Sequence, residues 1–134
     1  MDKSITELHT NFSSFDNWQD RYSYIIELGN SLPQMDSGTK TSINLIGGCV
    51  SNAWLTCKAK NGEVHFQADS DAHIVKGLLA IVLQICSKKT KYEIICIDFE
   101  HIFSVLGLSK NLTPSRGNGL LAVVQRIRQL LSKK

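Results

Sequence analysis

The chain is organised around Asn44-Leu45-Ile46-Gly47-Gly48-Cys49-Val50-Ser51-Asn52-Ala53-Trp54-Leu55. The apolar run that ends at Ile46 predicts a short strand, and a second strand is expected from Ala53. Because glycine lacks a Cβ and adopts φ > 0 at little cost, Gly47-Gly48 predicts a tight loop between them. Cys49, at the tip of that loop, is a candidate reactive thiol that can reach into another protein's active site. The alternative is a small buried hydrophobic residue, which is the usual role of a free cysteine.

Composition narrows the class of protein. The 134 residues favour one domain, residues 1–134, which is large enough to form a core without disulfides or a metal. The four cysteines lie at positions 49, 57, 86 and 96 with no C-x-x-C pair, so zinc-ribbon and thioredoxin-type sites lack their signature. The net charge of +3 is too small and too scattered to indicate nucleic-acid binding. No signal peptide or membrane-spanning run is visible, and we expect a reducing, cytoplasmic compartment.

The N-terminal third predicts two helices. Ile5, Leu8 and Phe12 share one face of the first helix. Asp16 is the expected N-cap of the second, with Gln19 at capping-box spacing. Apolar side chains then recur at helical period until Pro33: Trp18, Tyr22, Ile25, Ile26 and Leu32. The two aromatic residues that begin this series are interpreted as core rather than as a ligand-stacking face.

A β-hairpin follows the cysteine loop. Asn61-Gly62 is a strong signal for a type I′ turn between strands over Ala53–Ala59 and Val64–Ala68. Counting back from this turn pairs Ala59 with Val64, Cys57 with Phe66 and Leu55 with Ala68, all on the face predicted to be buried. Thr56 pairs with Gln67 and Lys58 with His65 on the polar face. Trp54 falls on the polar side, so it is either covered by another element or lines a pocket around Cys49.

The acidic turn after the hairpin predicts the start of a central helix. Asp69 or Ser70 is the expected cap, with Asp71 in the first turn, where a carboxylate suits the helix dipole. Two interpretations of Asp71 stay open: simple dipole complementation, or tuning of the exposure of the Cys49 loop. Apolar residues cover most of the circumference of the helix up to Cys86, which indicates a buried position. His73 is expected to be a solvated surface residue rather than a base for the thiol.

Local signals define the C-terminal third. Thr90 and Glu93 have capping-box spacing and predict a short helix over Tyr92 to Ile97, although propensity alone favours a strand there. Asp98 is expected to begin another helix that ends at Gly107. The last helix is expected to begin at Thr113-Pro114. Its first turns, Ser115-Arg116-Gly117-Asn118-Gly119, cost roughly 2 kcal/mol of helix propensity, which indicates close packing or a binding surface that includes Arg116.

Four blocks, in order, resemble the SufE family of sulfur acceptors. The first runs from Trp18 and Asp20-Arg21-Tyr22 to Leu32-Pro33, and the second is Ile46-Gly47-Gly48-Cys49 with Ser51 and Trp54-Leu55. The third is Ala68-Asp69-Ser70-Asp71-Ala72 with Ile74-Val75-Lys76-Gly77-Leu78, and the fourth is Leu112-Thr113-Pro114-Ser115-Arg116 with Asn118-Gly119-Leu120. The resemblance extends from about Trp18 to Ile127. Val50 departs from it, because SufE proteins usually have a polar residue after the cysteine.

The resemblance implies an α+β fold, the SufE/IscU-like sandwich, with a small antiparallel sheet packed against helices. It also implies that Cys49 accepts persulfide sulfur from a PLP-dependent cysteine desulfurase of the SufS or CsdA kind, activates that enzyme, and passes the sulfur to an iron–sulfur scaffold. The chain itself is then an accessory protein, a monomer or homodimer, with no cofactor and no metal of its own. Gly48, Ser51, Trp54, Asp71 and Arg116 are candidate loop or partner-contact residues.

Two alternative functions remain open from the sequence. The first is an iron–sulfur or zinc scaffold of the IscU-like fold, which needs clustered ligands. Against it, Cys57 is expected to point inward, and Cys86 and Cys96 are expected on helices. The second is a non-catalytic interaction domain in which Cys49 is incidental.

Overall fold

The computed structural model describes residues 3–48 and 51–132 of the chain, which form seven α-helices and one two-stranded antiparallel sheet. The elements are α1 (Lys3–Ser13), α2 (Trp18–Asn30), β1 (Ala53–Lys60), β2 (Glu63–Ser70), α3 (His73–Cys86), α4 (Lys91–Ile95), α5 (Phe99–Val105), α6 (Leu108–Asn111) and α7 (Pro114–Ser132). Short 3₁₀ turns span Ser37–Thr39 and Ser42–Asn44. The sequence-based assignment of an α+β fold is therefore confirmed.

Helix α3 is the centre of the core, as its nearly continuous apolar surface predicts. Eight of its fourteen residues are buried, and it packs against α1, α2, α7 and strand β2. The closest approach is to α2, where Gly29 and Gly77 bring the two backbones together. Side chains from most of the elements complete the core, including Phe12, Ile25, Leu55, Leu79, Ile85, Phe99 and Ile127.

The hairpin has the predicted register. All pairs expected from the Asn61-Gly62 turn are present, and both turn residues have positive φ, at 55° and 80°. Leu55, Val64 and Ala68 are buried, whereas Ala59 is exposed. The alternation of apolar and polar residues and the choice of turn residues were sufficient to predict this register, because both signals act between residues that are close in sequence.

The strand predicted before the cysteine loop is wrong. Ser42–Asn44 forms a 3₁₀ turn, and pairing with β1 is limited to one bridge between Leu45 and Trp54, with the Ile46 amide donating to the Ala53 carbonyl at 2.8 Å. Because Ser42–Asn44 forms a 3₁₀ turn directly before Leu45, the pairing with β1 cannot extend beyond this bridge towards Asn44. The residues that lead to Cys49 are therefore held as a short irregular segment beside the hairpin.

Two predicted helix caps are also wrong. Helix α2 is capped by Asn17, whose side chain accepts from the Asp20 amide at 2.9 Å, and not by Asp16. Helix α3 begins at His73 without a side-chain cap, because β2 continues through Ser70 and keeps its pairing with β1. Asp69 and Ser70 are thus strand residues, and Asp71 precedes the first turn of α3 instead of lying in it.

The other local predictions of the C-terminal third are confirmed, except that α4 ends at Ile95 instead of reaching Ile97. Thr90 and Glu93 form a capping box at the start of α4, and the Asp98 side chain accepts from the His101 amide at the start of α5. Gly107 has the left-handed conformation, with φ of 79°, and α7 begins at Pro114. Helix α6 was not predicted, because four residues leave no periodic pattern.

Candidate functional site

Cys49 and Val50 lie outside the described residues, so the candidate site is defined by the residues that flank them. Gly48 has φ of +85°, as expected for a glycine-hinged turn. A Cβ added to Gly48 would lie 3.3 Å from the Cβ of Ala122 on α7, whereas one added to Gly47 would meet nothing within 4 Å. The N-terminal side of the cysteine segment (residues 46–52) therefore rests directly on α7.

The C-terminal side of the cysteine segment borders a small cavity. Ser51 lines it together with Arg116, and the cavity volume is about 150 Å³. The other lining residues come from the start of α3, the first half of α7 and Ala72: Ile74, Val75, Leu78, Ser115, Gly119, Leu120 and Val123. The fold thus brings Ser51 and Arg116, two candidate residues far apart in sequence, to one mainly apolar cavity with one cationic side chain.

A second, wider groove lies at Gly47 and Gly48. Its volume is about 550 Å³, and the residues of α7 that line it, four of them polar, are Asn118, Leu121, Ala122, Gln125, Arg126 and Gln129. Arg126 donates from Nη2 to the carbonyl oxygen of Ile43 at 2.8 Å, which joins the 3₁₀ turn before the cysteine segment to α7. Sequence reasoning missed Arg126, because no local motif indicates a bond across 83 positions.

Trp54 lies under a lysine and lines neither of these two cavities. The Lys40 ammonium lies 5.5 Å from the centre of the Trp54 ring, and Leu45 pairs with Trp54 through the single β-bridge. The indole is half-buried. The sequence allowed two interpretations of Trp54. The contacts fit the first of them, in which another element, here the loop that contains Lys40, covers the indole.

Asp69 lies opposite Trp54 in the hairpin and is buried. One carboxylate oxygen is 2.6 Å from the Lys40 ammonium and the other is 3.5 Å from that of Lys76. Burial opposes ionisation of Asp69, but the bonds from Lys40 and the Ser70 amide, with the charges of both lysines, outweigh it and lower the pKa below its ordinary value of 3.8. Instead of capping α3, the carboxylate joins the loop before the cysteine segment to the hairpin and the central helix.

Asp71 holds the residue that follows Ser51. Its carboxylate accepts from the Asn52 side-chain amide at 2.9 Å, and its backbone N–H donates to the Asn52 carbonyl at 3.1 Å. The Ser70 hydroxyl donates to the same carbonyl at 2.7 Å. Because Asp71 precedes α3 instead of lying in its first turn, complementation of the helix dipole does not explain its position. Its contacts connect the acidic turn to the cysteine segment.

The other three cysteines differ in exposure. Cys57 is half-buried, Cys86 is buried at the end of α3, and Cys96 is exposed directly after α4. Burial raises the pKa of the Cys86 thiol to about 12, although the charge of Lys89 acts in the opposite direction. Within residues 3–48 and 51–132, no three His, Cys, Asp or Glu side chains form a group that could hold a metal ion.

None of the helices in the described ranges is both long enough and apolar enough to cross a bilayer.

The fold and the site together define an α+β protein in which a glycine-hinged cysteine segment joins a hairpin and is attached to the C-terminal helix. A solved structure of the same architecture, the solution structure of a hypothetical protein from Thermus thermophilus, matches with a TM-score of 0.77 over 97% of each chain. Sequence identity is only 17%, so this likeness concerns the fold alone.

Sequence comparison identifies the family. Residues 6–131 match the family model of SufE, the Fe-S metabolism associated domain. An uncharacterized SufE-like protein of Rhizobium etli is 43% identical over 130 residues, which covers 94% of this chain and 88% of the relative. A second SufE-like protein, from Rhizobium meliloti, is 43% identical over 129 residues, with 93% and 92% coverage. The chain belongs to the SufE family, which is associated with iron–sulfur metabolism.

Proposed function

We propose that this chain is a sulfur acceptor of iron–sulfur cluster assembly. Cys49 takes the terminal sulfur of a persulfide formed on a PLP-dependent cysteine desulfurase, and the sulfur then passes to a cluster scaffold. Removal of the persulfide frees the desulfurase for its next cycle and so raises its turnover. The observation that carries the proposal is the match of residues 6–131 to the SufE model, within which Cys49 follows the hinge Gly47-Gly48.

The transfer is a thiol exchange that needs no external oxidant. The Cys49 thiolate attacks the terminal sulfur of the donor persulfide, a new S–S bond forms on Cys49, and the donor S–S bond breaks. The donor cysteine leaves as a thiolate and takes up the proton that Cys49 has lost. The number of S–S bonds is unchanged, so the step is neutral in electrons.

The surroundings of the flanking residues support a thiolate role at this place. Arg116 lines the cavity at Ser51, and a guanidinium near a thiol favours its ionised form. We therefore assign Arg116 to stabilisation of the anionic sulfur, and Gly48, Ser51, Trp54 and Asp71 to the shape of the segment or to partner contact.

Of the three other cysteines, Cys86 and Cys57 are poorly suited to sulfur transfer because they are buried and half-buried. With a pKa of about 12, Cys86 has on the order of one thiolate in 10⁵ molecules at neutral pH. Cys57 faces the core side of the sheet and is half-buried. Cys96 is exposed and is the thiol against which Cys49 must be tested.

We further propose that PLP stays on the desulfurase and that this chain binds none. A PLP enzyme needs a lysine free to form a Schiff base. No lysine of this sequence lies in a recognisable PLP-site context, and three of them are engaged elsewhere: Lys40 and Lys76 pair with Asp69, and the Lys89 ammonium donates to the Ile85 carbonyl at 2.5 Å.

The test is incubation with a cysteine desulfurase, PLP and cysteine, followed by mass spectrometry of the intact protein. We expect the wild type to gain the mass of one or more sulfur atoms, which a reductant removes, and to stimulate desulfurase turnover. Cys49→Ser is expected to fold and to lose both effects. Cys96→Ser is the matched control, because it removes an exposed thiol and should keep both.

The same experiment separates the alternatives. If Cys49→Ser stimulates the desulfurase as well as the wild type does, the acceptor assignment is wrong and an interaction domain replaces it. Reconstitution with iron and sulfide tests a scaffold role: visible absorbance of a bound cluster that depends on Cys49 would favour the IscU-like alternative.

A further inference from the structure

The turn before the cysteine segment has an unusual long-range attachment. Ile43 is 79% exposed and has no side-chain anchor in the core, yet its carbonyl accepts a hydrogen bond from Arg126 on α7 at 2.8 Å. This donor is charged, and charge-assisted hydrogen bonds are roughly twice as strong as neutral ones. The bond therefore fixes an exposed turn to a rigid helix.

Arg126 itself is held under constraint. The side chain is half-buried, and among the residues that the structure describes its buried Nε atom has no hydrogen-bond partner, a rare and unfavourable condition for a guanidinium. Its position is thus not explained by solvation of the charge. The arginine lies where it reaches the Ile43 carbonyl across the groove that Gly47 and Gly48 also line.

We propose that Arg126 is a positioning residue for sulfur transfer: it fixes the approach segment (residues 42–48), which leads directly to Cys49, against α7 before the desulfurase binds. This inference rests on the proposed function. Without the Arg126 bond, the approach segment keeps the Leu45–Trp54 bridge, the Ile46–Ala53 hydrogen bond and the buried side chain of Ile46, but its exposed turn loses the bond to α7. A looser segment must be ordered when the partner binds, which weakens binding without changing the chemistry of the thiol.

Arg128 provides a matched control on the same helix. It lies two residues further along α7, its guanidinium is 6.0 Å from the centre of the Phe99 ring, and it is exposed. Arg126→Met and Arg128→Met remove the same charge from α7, but only Arg126→Met removes the bond to Ile43. Arg126→Lys keeps the charge and a donor and serves as the conservative variant.

The first measurement needs no desulfurase. In Arg126→Met, amide hydrogen exchange in residues 42–48 should be at least about fivefold faster than in the wild type, because a hydrogen bond from a charged donor is lost. Exchange in residues 61–66, at the far end of the hairpin, should be unchanged. Equal acceleration in both regions would mean general destabilisation and would overturn the positioning role.

The second measurement is desulfurase turnover against the concentration of this protein. For Arg126→Met we expect the half-maximal concentration to rise about five- to tenfold, with maximal stimulation within about twofold of the wild type. Arg126→Lys should recover most of the loss, and Arg128→Met should match the wild type. A half-maximal concentration of Arg126→Met that equals that of Arg128→Met would refute the proposal.

The two measurements keep this proposal separate from the assignment of Cys49. Failure of the acceptor function would appear as sulfur uptake and stimulation that survive Cys49→Ser. Failure of the positioning role would appear in Arg126→Met alone, while Cys49→Ser still abolishes transfer.

Discussion

Gly77 is the position where one added methyl group should be most costly. In α3, a Cβ at residue 77 would lie 2.1 Å from the Ile25 carbonyl oxygen and 2.7 Å from the Ile25 carbonyl carbon of α2. On the facing helix, a Cβ at Gly29 would lie 2.7 Å from the Gly77 nitrogen. The Ile25 Cγ2 methyl also lies in the way, but the nearest obstructing atom is a backbone oxygen, so no change of rotamer can relieve the overlap.

The size of the effect follows from these distances. To accept the methyl group of Gly77→Ala, α2 and α3 must separate by about 1 Å, and a gap of that size forfeits a quarter to a half of each affected van der Waals contact. Overpacking of this kind costs about 1–3 kcal/mol or more, while alanine recovers about 1 kcal/mol of helix propensity. With backbone on both sides, the cost lies at the upper end of that range, so we expect a net loss of about 2 kcal/mol, which corresponds to a fall in Tm of about 7 °C.

The assay is urea unfolding and thermal unfolding followed by far-UV circular dichroism. Gly117→Ala in α7 is the matched control, because a Cβ there meets nothing within 4 Å. That control should gain about 0.5–1 kcal/mol of stability from helix propensity. If Gly77→Ala is as stable as the wild type, or is stabilised as Gly117→Ala is, the close approach of α2 and α3 is wrong.

Three further predictions concern charges and thiols. Asp69→Asn should destabilise the protein at neutral pH. Because the folded-state pKa of Asp69 is lowered, the stability that its carboxylate contributes is present above the ordinary pKa of 3.8 and is lost as pH falls through the folded pKa. The difference in urea stability between variant and wild type should therefore shrink below about pH 4. Asp71→Ala breaks the bond to Asn52 and should cost about 0.5–1.5 kcal/mol; a change in the alkylation rate of Cys49 would favour tuning of the loop, and an unchanged rate a purely structural role. In native alkylation, Cys49 is expected to react first and Cys86 last, because Cys86 is buried with a pKa of about 12; a faster reaction of Cys86 would contradict the packing of α3.

Much of the fold could be predicted because its determinants are local. The type I′ turn, the capping box of α4 and the proline start of α7 each depend on residues within a few positions of one another. The predicted strand at Asn44 to Ile46 failed for the opposite reason. An apolar tripeptide does not specify a partner, and the 3₁₀ turn at Ser42–Asn44 limits the pairing to one bridge.

The candidate site was predicted in part. The glycine hinge was visible in sequence, and Arg116 was singled out because its helical turns are poor helix formers; the structure brings it to Ser51. Arg126 was missed, since nothing in its neighbourhood distinguishes it from Arg128 on the same helix.

The sequence alone was enough to predict the hairpin register and most helix boundaries, because alternation, turn residues and caps act over a few positions. It was also enough to predict the family, because the order of the motifs is a property of the chain. The roles of the polar residues depend instead on how the elements pack. Asp69 has the sequence position of a helix cap, but a buried carboxylate needs cationic partners, and Lys40 and Lys76 reach it from a distant loop and from α3. Arg126 acquires its contact for the same reason: a hydrogen bond depends on distance in space, which the fold sets and sequence spacing does not.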